Sequence, residues 1–389
     1  MTKGPLLSLI LCSRNDHYMG NSAWRLQTAL NYVAARVAEL KRETDVEILV
    51  TDWGSEVPLH TAVRLSPEAA RMTRFLVVPK PLAHTLQKDS PFSEVHALNA
   101  AARRARGQYI GRIDQDTLVG PTFLERFLKL ADGSERTSVA IDRAFLFAKR
   151  KNIPYRVARQ CPSCRAVERF VRWFKGWLAV QHPTTLFFHA AVGIMIMHRQ
   201  VWDACGGYDE RLIYMNNMEP DLASRVALNY ELVNLEHLTG IDFYHLDHCA
   251  PLAGFRTPRK ENPWDVRFAK DKVLRPNGPE WGLRDHALEV ATVTETAAAR
   301  NGSWVEGPAF ALLLLSAAPG IAWDRVVESC KPLIEGWWTW QRRARSAAQA
   351  IHGQPPAKWP GLLRAIWVEG HARRAQQEHA VAVGSPEGR

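Results

Sequence analysis

The sequence predicts an α/β fold in which a mixed, mainly parallel sheet is flanked by helices, and three observations support it. Leu6 to Cys12 is a continuous apolar run, which is typical of a strand buried on both faces. Apolar residues then recur at helical spacing from Leu26 to Leu40. Strand-like and helix-like segments keep alternating beyond this point, which is the pattern of βαβ units.

The next strands are short apolar segments separated by helical or polar sequence. We expect them at Val46 to Thr51, Phe75 to Val78 and Tyr109 to Ile113. A helix from Glu94 to Arg106 should precede the last of these strands, because Gly107 is a natural stop for it. Parallel sheets bind ligands at the carboxyl ends of their strands, so the residues that follow these strands are the first candidates for a site.

Carboxylates stand at two of these strand ends. Asp52 follows the second strand directly, and Asp114-Gln115-Asp116 follows the fourth, so all three should lie on one edge of the sheet. Buried carboxylates are costly unless a positive group meets them, and Mg²⁺ or Mn²⁺ carrying phosphates is the usual partner. The simpler alternative is a strand-end turn with solvated acids.

The middle of the chain places further polar residues at the ends of elements. Leu222 to Leu228 is predicted as a helix, with Glu219 and Asp221 in or before its first turn, where negative charge suits the helix dipole. Asp242 to His248 ends a short strand and supplies two histidines. The other elements expected here are a basic amphipathic helix from Val167 to Leu178 and an apolar strand from Ala190 to Met197.

Three regions are expected along the chain: an α/β domain at residues 1–255, a linker or active-site flap at 256–282, and a helical, Trp-rich extension at 283–389. Trp337 to Arg345 holds three Trp and three Arg. A membrane-surface or partner helix has this composition. We favour the alternative, in which helices pack on the main domain and the arginines extend to solvent.

Composition indicates a globular chain, since 46% of the 389 residues are hydrophobic and 23% are charged. The net charge of +10 suits acidic partners such as nucleotide phosphates or anionic lipid, and it equally suits a basic surface with no specific partner. No secretory signal is evident, the longest apolar run is too short for a bilayer, and the six cysteines are scattered. We therefore expect a cytoplasmic protein.

Five stretches of the sequence, in this order, resemble motifs of family 2 glycosyltransferases. They are Leu6 to Leu11, Glu47 to Ser55, Ala97 to Ile110 with the Asp-x-Asp that follows, Gly206 to Glu210 followed by Glu219 to Arg225, and His245 to His248. The resemblance covers roughly residues 5–255. It implies the GT-A fold, which is Rossmann-like, and inverting transfer of a sugar from a nucleoside-diphosphate donor, expected to be a UDP-sugar, to a hydroxyl acceptor.

The resemblance implies donor contacts for four residues. Asp52 would accept hydrogen bonds from the base or ribose of the nucleotide sugar, with turn capping as the alternative. Asp114 would contact the ribose or the metal-bound water, and Asn99 and Ser13 would complete the donor site.

The resemblance also implies a metal site at Asp116. This carboxylate would bind Mn²⁺ or Mg²⁺ on the diphosphate, and His245 or His248 would complete the metal shell through a ring nitrogen. For either histidine, a purely structural role is the alternative.

Glu219 or Asp221 would be the general base that deprotonates the acceptor. The sequence departs from the family's usual Glu-Asp pair here, because Met218-Glu219 takes its place and Asp221 follows two residues on. Alignment on the Asp-Leu-x-x-Arg ending puts Glu219 at the base position, and the choice between the two carboxylates stays open.

The expected acceptor is a glycan, a lipid-linked compound or another hydroxyl compound, and no nucleic acid is expected. Peripheral contact with the inner face of the membrane would run through the C-terminal helices. One alternative is a non-catalytic carbohydrate- or membrane-associated protein on a GT-A scaffold. A second is a nucleotidyltransferase, which would want a Gly-rich phosphate loop where Ser13-Arg14-Asn15-Asp16 supplies only an arginine.

Overall fold

The computed structural model describes residues 4–181, 194–214, 218–248, 262, 273–293, 315 and 317–330. Within these ranges the strands form two sheets, and helices pack on both faces of the larger one. This is the predicted α/β architecture with a mixed, mainly parallel sheet.

The larger sheet has the described strand order β11-β3-β2-β1-β4-β8-β6-β9. Its members are β1 (Leu7–Ser13), β2 (Val46–Trp53), β3 (Thr73–Val78), β4 (Tyr109–Arg112), β6 (Ala144–Ala148), β8 (Ile194–His198), β9 (Glu231–Asn234) and β11 (Glu289–Ala291). The four neighbours β3, β2, β1 and β4 run parallel. The pairs of β11 with β3 and of β8 with β4 and β6 are antiparallel, and β9 is parallel to β6.

The predicted helices are present, with ends that differ from the predicted positions by up to four residues, and several short helices were not predicted. They are α1 (Ser22–Glu39), α2 (Leu59–Ala62), α3 (Pro67–Met72), α4 (Lys80–Gln87), α5 (Glu94–Arg104), α6 (Pro121–Asp132), α7 (Tyr155–Ala158), α8 (Cys164–Phe174), α9 (Arg199–Cys205), α10 (Met218–Val226) and α11 (Glu236–Thr239), with a 3₁₀ helix at Ile141–Arg143. Residues 317–330 are also helical.

The central strand β1 shows why most of its residues are apolar. Leu9 and Leu11 face one core cluster, which α1 covers with Leu26 and Leu30. Ile10 faces the opposite cluster, together with Leu98 of α5. Both faces of the strand are therefore buried under helices, and no position along it can be polar without a partner.

A smaller sheet lies beside the larger one and was not foreseen as a separate unit. It consists of β5 (Thr117–Val119), β10 (Phe243–Leu246) and β7 (Lys151–Ile153), in that order across β10. A third core cluster packs on it, with Phe170 from α8 and Ile321 from the helix at 317–330. Four residues separate the end of β4 from the start of β5, so the chain crosses from one sheet to the other within Ile113 to Asp116.

The segment after residue 273 packs closely on the α/β domain. Trp281 is buried in the second core cluster, and Arg104 of α5 donates to the carbonyls of Gly282 and Leu283. β11 then pairs with β3, although the sequence analysis placed residues 289–291 in the helical extension. A strand of three residues is too short for its sequence to show an alternating pattern. The strand β11 is therefore recognised only by its pairing with β3.

Much of the remaining C-terminal region lies outside the described residues. This applies to most of the predicted flap and to the run from Trp337 to Arg345, and also to the start of the predicted strand at Ala190. Across the ranges that are described, no helix combines the length and the apolar character needed to cross a bilayer.

Candidate active site

The predicted edge of polar residues is present at the carboxyl ends of three neighbouring strands. Ser13 at the end of β1 pairs in register with Asp52 at the end of β2. On the other side, the hydroxyl of Ser13 donates to the side-chain carbonyl of Gln115, between the two aspartates that follow β4. The strand order thus brings residues from three separate motifs to one edge.

Asp116, His245 and His248 come together at this edge, and we call them the metal cluster. One ligand atom from each residue lies within 4.8 Å of the others. His245 Nε2 is 3.5 Å from Asp116 Oδ1, and His248 Nε2 is 3.4 Å from Oδ2. The small sheet explains the meeting, because His245 of β10 stands opposite Thr117 of β5, directly after Asp116.

The protonation of the two rings fits a metal shell. His245 Nδ1 lies 3.3 Å from Asn152 Oδ1, which can only accept from it, while the buried Nε2 has no hydrogen-bond partner among the described residues. Nδ1–H bonded to an oxygen leaves Nε2 with its lone pair free to ligate. Burial lowers the pKa of His248 to about 4, so this ring is neutral at pH 7. Two imidazole nitrogens and a carboxylate are a donor set for a divalent transition ion such as Mn²⁺.

The carboxylate of the cluster is held in its ionised form. Burial raises the pKa of Asp116, but its interactions with His245, His248 and the Arg150 guanidinium together outweigh burial, so the pKa lies below its usual range. Arg25 of α1 adds a buried guanidinium, with Nε 3.5 Å from Asp116 Oδ2 and Nη2 donating to the carbonyl of Tyr18. Asp116 is therefore an anion at any physiological pH.

A second group surrounds the side chain of Arg112, and we call Glu94, Arg112, Asp114 and Glu219 the arginine cluster. One nitrogen, Arg112 Nη2, lies 2.6 Å from Asp114 Oδ1, 2.8 Å from Glu94 Oε1 and 3.2 Å from Glu219 Oε1. The guanidinium is buried at the end of β4. Arg150 meets the other oxygen of Asp114.

Glu219 has the ionisation of a general base. Burial raises its pKa to about 7; Arg112 opposes this shift, and Glu94 and Asp114 add to it. The Tyr208 side chain faces the same charges, and its buried hydroxyl has no hydrogen-bond partner in the described part of the chain. A carboxylate whose pKa lies near neutrality can take a proton at pH 7 and release it again.

Asp221 is placed differently from Glu219, although both lie in the first turn of α10. Its carboxylate accepts from Arg225 Nε at 2.7 Å, one helical turn along, and both side chains are buried. Arg225 in turn donates to the backbone carbonyls of Gly207 and Leu274. Asp221 therefore belongs to a buried ion pair that ties α10 to the neighbouring segments.

Two residues predicted to contact the nucleotide-sugar donor form hydrogen bonds with other groups of the protein. Asp52 accepts from the backbone N–H of Leu59 at 2.7 Å and from the Ser55 hydroxyl, which is the capping role given above as the alternative. The Asn99 amide exchanges two hydrogen bonds of 2.8 Å with the backbone of Tyr208 and also donates to Glu210. Both side chains stabilise turns here, and a donor contact by either stays a prediction.

Sequence reasoning missed the cations and the second carboxylate of the site. Arg112 interrupts an apolar strand immediately before the Asp-x-Asp, and this interruption was the available signal. Arg25 and Glu94 lie in helices, where a charged residue is ordinary, and Arg150 and Asn152 adjoin a three-residue strand. Nothing in their local sequence separates them from surface residues.

Comparisons with known proteins agree with this architecture. Residues 29–192 match the model of the family described as glycosyl transferase family 2. This part of the chain, less than half of its length, is therefore similar to family 2 glycosyltransferases. The match includes both aspartates that follow β4, while Glu219 and the two histidines lie beyond it.

Solved structures give weaker likenesses. S. aureus TarS 1–349 is 14% identical, with 62% of this chain and 60% of that chain covered and a TM-score of 0.38. The same TarS fragment in complex with UDP-GlcNAc is 13% identical, with 61% and 58% covered and a TM-score of 0.36. The catalytic domain of Drosophila β1,4-galactosyltransferase 7 with xylobiose is 11% identical, with 70% and 81% covered and a TM-score of 0.34.

The chain spans about 60% of the TarS fragment that it resembles. At these TM-scores the likeness transfers no property from those proteins. The search of curated proteins gives no match.

Proposed function

We propose that this protein transfers a sugar from a nucleoside-diphosphate donor, with UDP as the nucleotide, to an acceptor hydroxyl, with inversion at the anomeric carbon. One observation supports it most. The stretch Asp114-Gln115-Asp116 connects two groups of side chains. Asp116 belongs to the metal cluster, which is suited to a divalent ion. Asp114 shares Arg112 with Glu219, a carboxylate suited to proton abstraction. The similarity to family 2 glycosyltransferases supplies the expectation of glycosyl transfer.

The metal cluster would hold Mn²⁺ or Mg²⁺ through Asp116, His245 and His248. The buried Nε2 of His245, which has no hydrogen-bond partner among the described residues, supports this assignment. A bound cation neutralises the departing diphosphate, which is otherwise a poor leaving group. Asn152 orients the His245 ring through Nδ1, so it acts as a positioning residue for the site.

Glu219 is the proposed general base, in preference to Asp221. Its carboxylate can accept the proton of the acceptor hydroxyl, while the Asp221 carboxylate is occupied by Arg225. Arg112 holds Glu219 and Asp114 on one nitrogen, so the base and the donor-side carboxylate keep a fixed relation to each other. An oxygen nucleophile that attacks opposite the leaving diphosphate gives inversion.

A donor panel tests the proposal. The full chain is incubated with UDP-, GDP- and TDP-sugars, with Mn²⁺, Mg²⁺ or EDTA, and nucleotide release is followed with and without simple sugar and lipid-linked acceptors. We expect release with a UDP-sugar that depends on the metal and is lost in Asp116→Asn. The anomeric configuration of the product, read by NMR, checks inversion.

Two results would remove the proposal in favour of the alternatives. Donor binding without turnover, unchanged by Glu219→Gln, is expected of a non-catalytic protein on this scaffold. Pyrophosphate release from nucleoside triphosphates, with no release from nucleotide sugars, is expected of a nucleotidyltransferase.

A further inference from the structure

Exposed tryptophans occur on two segments of the molecule, the end of α8 and the helix at 317–330. Trp173 and Trp177 are 55% and 64% exposed at the end of α8 and in the turn after it, and Trp323 is 49% exposed on the helix at 317–330. Of the described residues, these three are the tryptophans among the exposed large hydrophobic side chains. Exposed indole rings are uncommon on a protein surface that meets only water.

The two segments that carry these rings pack on the same core cluster. Phe170 and Val171 of α8 and Ala317 and Ile321 of the second helix all belong to it, together with residues of the small sheet. The exposed residues therefore lie on the two segments that cover this cluster. We call Arg172, Trp173, Lys175, Trp177, Trp323 and Arg325 the tryptophan surface.

The charge on these two segments is one-sided. Arg172, Lys175 and Arg325 are exposed. The acidic side chains are buried or paired. Asp324 and Glu328 are only 6% and 5% exposed, and Glu168 forms ion pairs with Arg36 and Arg172. The Arg169 guanidinium also lies 5.6 Å from the centre of the Trp173 ring. The surface thus presents cations and indoles while its carboxylates are covered.

This combination fits one partner. Indole rings prefer the boundary between lipid headgroups and acyl chains, where one end of the ring is apolar and the other is wet. Exposed Lys and Arg are attracted to anionic headgroups. We propose that the tryptophan surface docks this protein on a bilayer that contains anionic phospholipid. The proposal does not depend on the catalytic assignment made above.

Hydrogen bonds connect the two segments of the tryptophan surface with residues next to the metal cluster. Glu328 accepts from Asn152 Nδ2 at 3.4 Å, and Asn152 contacts His245. Lys151 of β7 donates to the carbonyl of Lys175, beside the tryptophan surface. A bilayer bound at this surface would therefore lie against the elements that carry the site, which suits an acceptor held in the membrane.

Vesicle sedimentation tests the proposal without any need for turnover. The full chain is mixed with vesicles of phosphatidylcholine alone or with 30% phosphatidylglycerol (roughly the anionic fraction that gives a strong surface potential), at low and high salt. We expect binding to the anionic vesicles that weakens with salt. The triple variant Trp173→Ser, Trp177→Ser, Trp323→Ser and the double variant Arg172→Glu, Lys175→Glu should each lower the partition coefficient by at least about 10-fold.

Matched variants elsewhere control for general surface effects. Val57→Ser and Leu228→Ser remove hydrophobic side chains that are 55% and 50% exposed, and Arg71→Glu reverses a charge on α3. These variants should bind vesicles like the wild type, and far-UV circular dichroism should show all variants folded.

Three results would overturn the proposal. They are no binding to anionic vesicles, equal loss of binding in the control variants, and concentration-dependent self-association that disappears in the tryptophan variant. The last result would make the surface an interface between copies of the chain.

Discussion

The metal cluster and the arginine cluster share the stretch Asp114-Gln115-Asp116 but have opposite balances of charge. The metal cluster has one carboxylate with two imidazole rings, and Arg25 nearby. The arginine cluster has three carboxylates around one guanidinium nitrogen, with Arg150 on Asp114. One group offers lone pairs to a cation, and the other holds more negative charge than its own cations neutralise.

This difference follows from the two sheets that the stretch connects. Asp116 adjoins β5 and meets histidines from β10 in the small sheet, whereas Asp114 adjoins β4 and meets residues from α5 and α10 beside the large sheet. Adjacent positions in sequence therefore enter different electrostatic surroundings. We propose that ion binding and proton transfer are separate tasks here, and each of the following predictions tests that separation.

Replacing Glu219 by Gln should have the largest effect on turnover. The amide cannot take the acceptor proton, so we expect kcat to fall about 10²- to 10⁴-fold with little change in Mn²⁺ affinity or thermal stability. Steady-state kinetics, Mn²⁺ titration and thermal unfolding measure the three quantities.

Asp221→Asn is the matched control for this substitution. It weakens a buried ion pair with Arg225, so the melting temperature should fall while kcat is largely kept at temperatures where the protein is folded. A large loss of kcat in Asp221→Asn, with Glu219→Gln active, would reverse the assignment of the base.

Removing a ligand from the metal cluster should act on ion affinity first. His248→Ala deletes a ring whose Nε2 lies 3.4 Å from Asp116, and we expect Mn²⁺ affinity to fall by more than about 10-fold. Isothermal titration with Mn²⁺ measures it. Glu94→Gln should leave the affinity unchanged, since that side chain contacts Arg112. Equal effects of both substitutions on Mn²⁺ would mean that the two clusters act as one site.

The sequence predicts more residues of the metal cluster than of the arginine cluster, and the reason is physical. Asp116, His245 and His248 stand in motifs at strand ends, and the parallel order of β3, β2, β1 and β4 was implied by the βαβ pattern. Arg112, Glu94 and Arg150 come from elements whose relative placement depends on tertiary packing. A pattern can reveal that a strand ends at a carboxylate, but not which guanidinium will be buried beside it.

The acid limb of the pH–rate profile should move in opposite directions for the two neighbours of Glu219. The wild-type limb is expected near the Glu219 pKa of about 7, since the protonated form cannot act as a base and activity falls as the pH decreases through that value. Glu94→Gln removes a negative charge, which should lower the pKa and move the limb to lower pH. Arg112→Met removes the opposing positive charge and should move it to higher pH.

Kinetics across pH 5 to 9 in several buffers measure this limb, and NMR titration of ¹³C-labelled Glu checks that it belongs to Glu219. A limb that stays in place in both variants would show that the arginine cluster does not govern the base.

Asn99→Ala should give the smallest effect on function and a clear effect on folding. Its amide is buried and accepts from the N–H of Tyr208, so alanine leaves that buried N–H without this partner, at a cost of about 1–3 kcal/mol. The carbonyl of Tyr208 loses the bond from Asn99 but keeps one from Asn277 Nδ2. Urea unfolding should show this loss, while the affinities for UDP and Mn²⁺ stay near the wild-type values.

The family resemblance implies the opposite result, with weaker donor binding and unchanged stability. Asn99 accepts from the backbone of Tyr208, and the Tyr208 side chain faces the arginine cluster. If Asn99→Ala changes turnover but not metal affinity, we would attribute the change to a displaced Tyr208 ring. Ser13→Ala is the useful companion, because Ser13 contacts Gln115 between the two clusters. If UDP affinity falls in Asn99→Ala and not in Ser13→Ala, the donor reaches α5, and the edge at β1 and β2 is not its binding site.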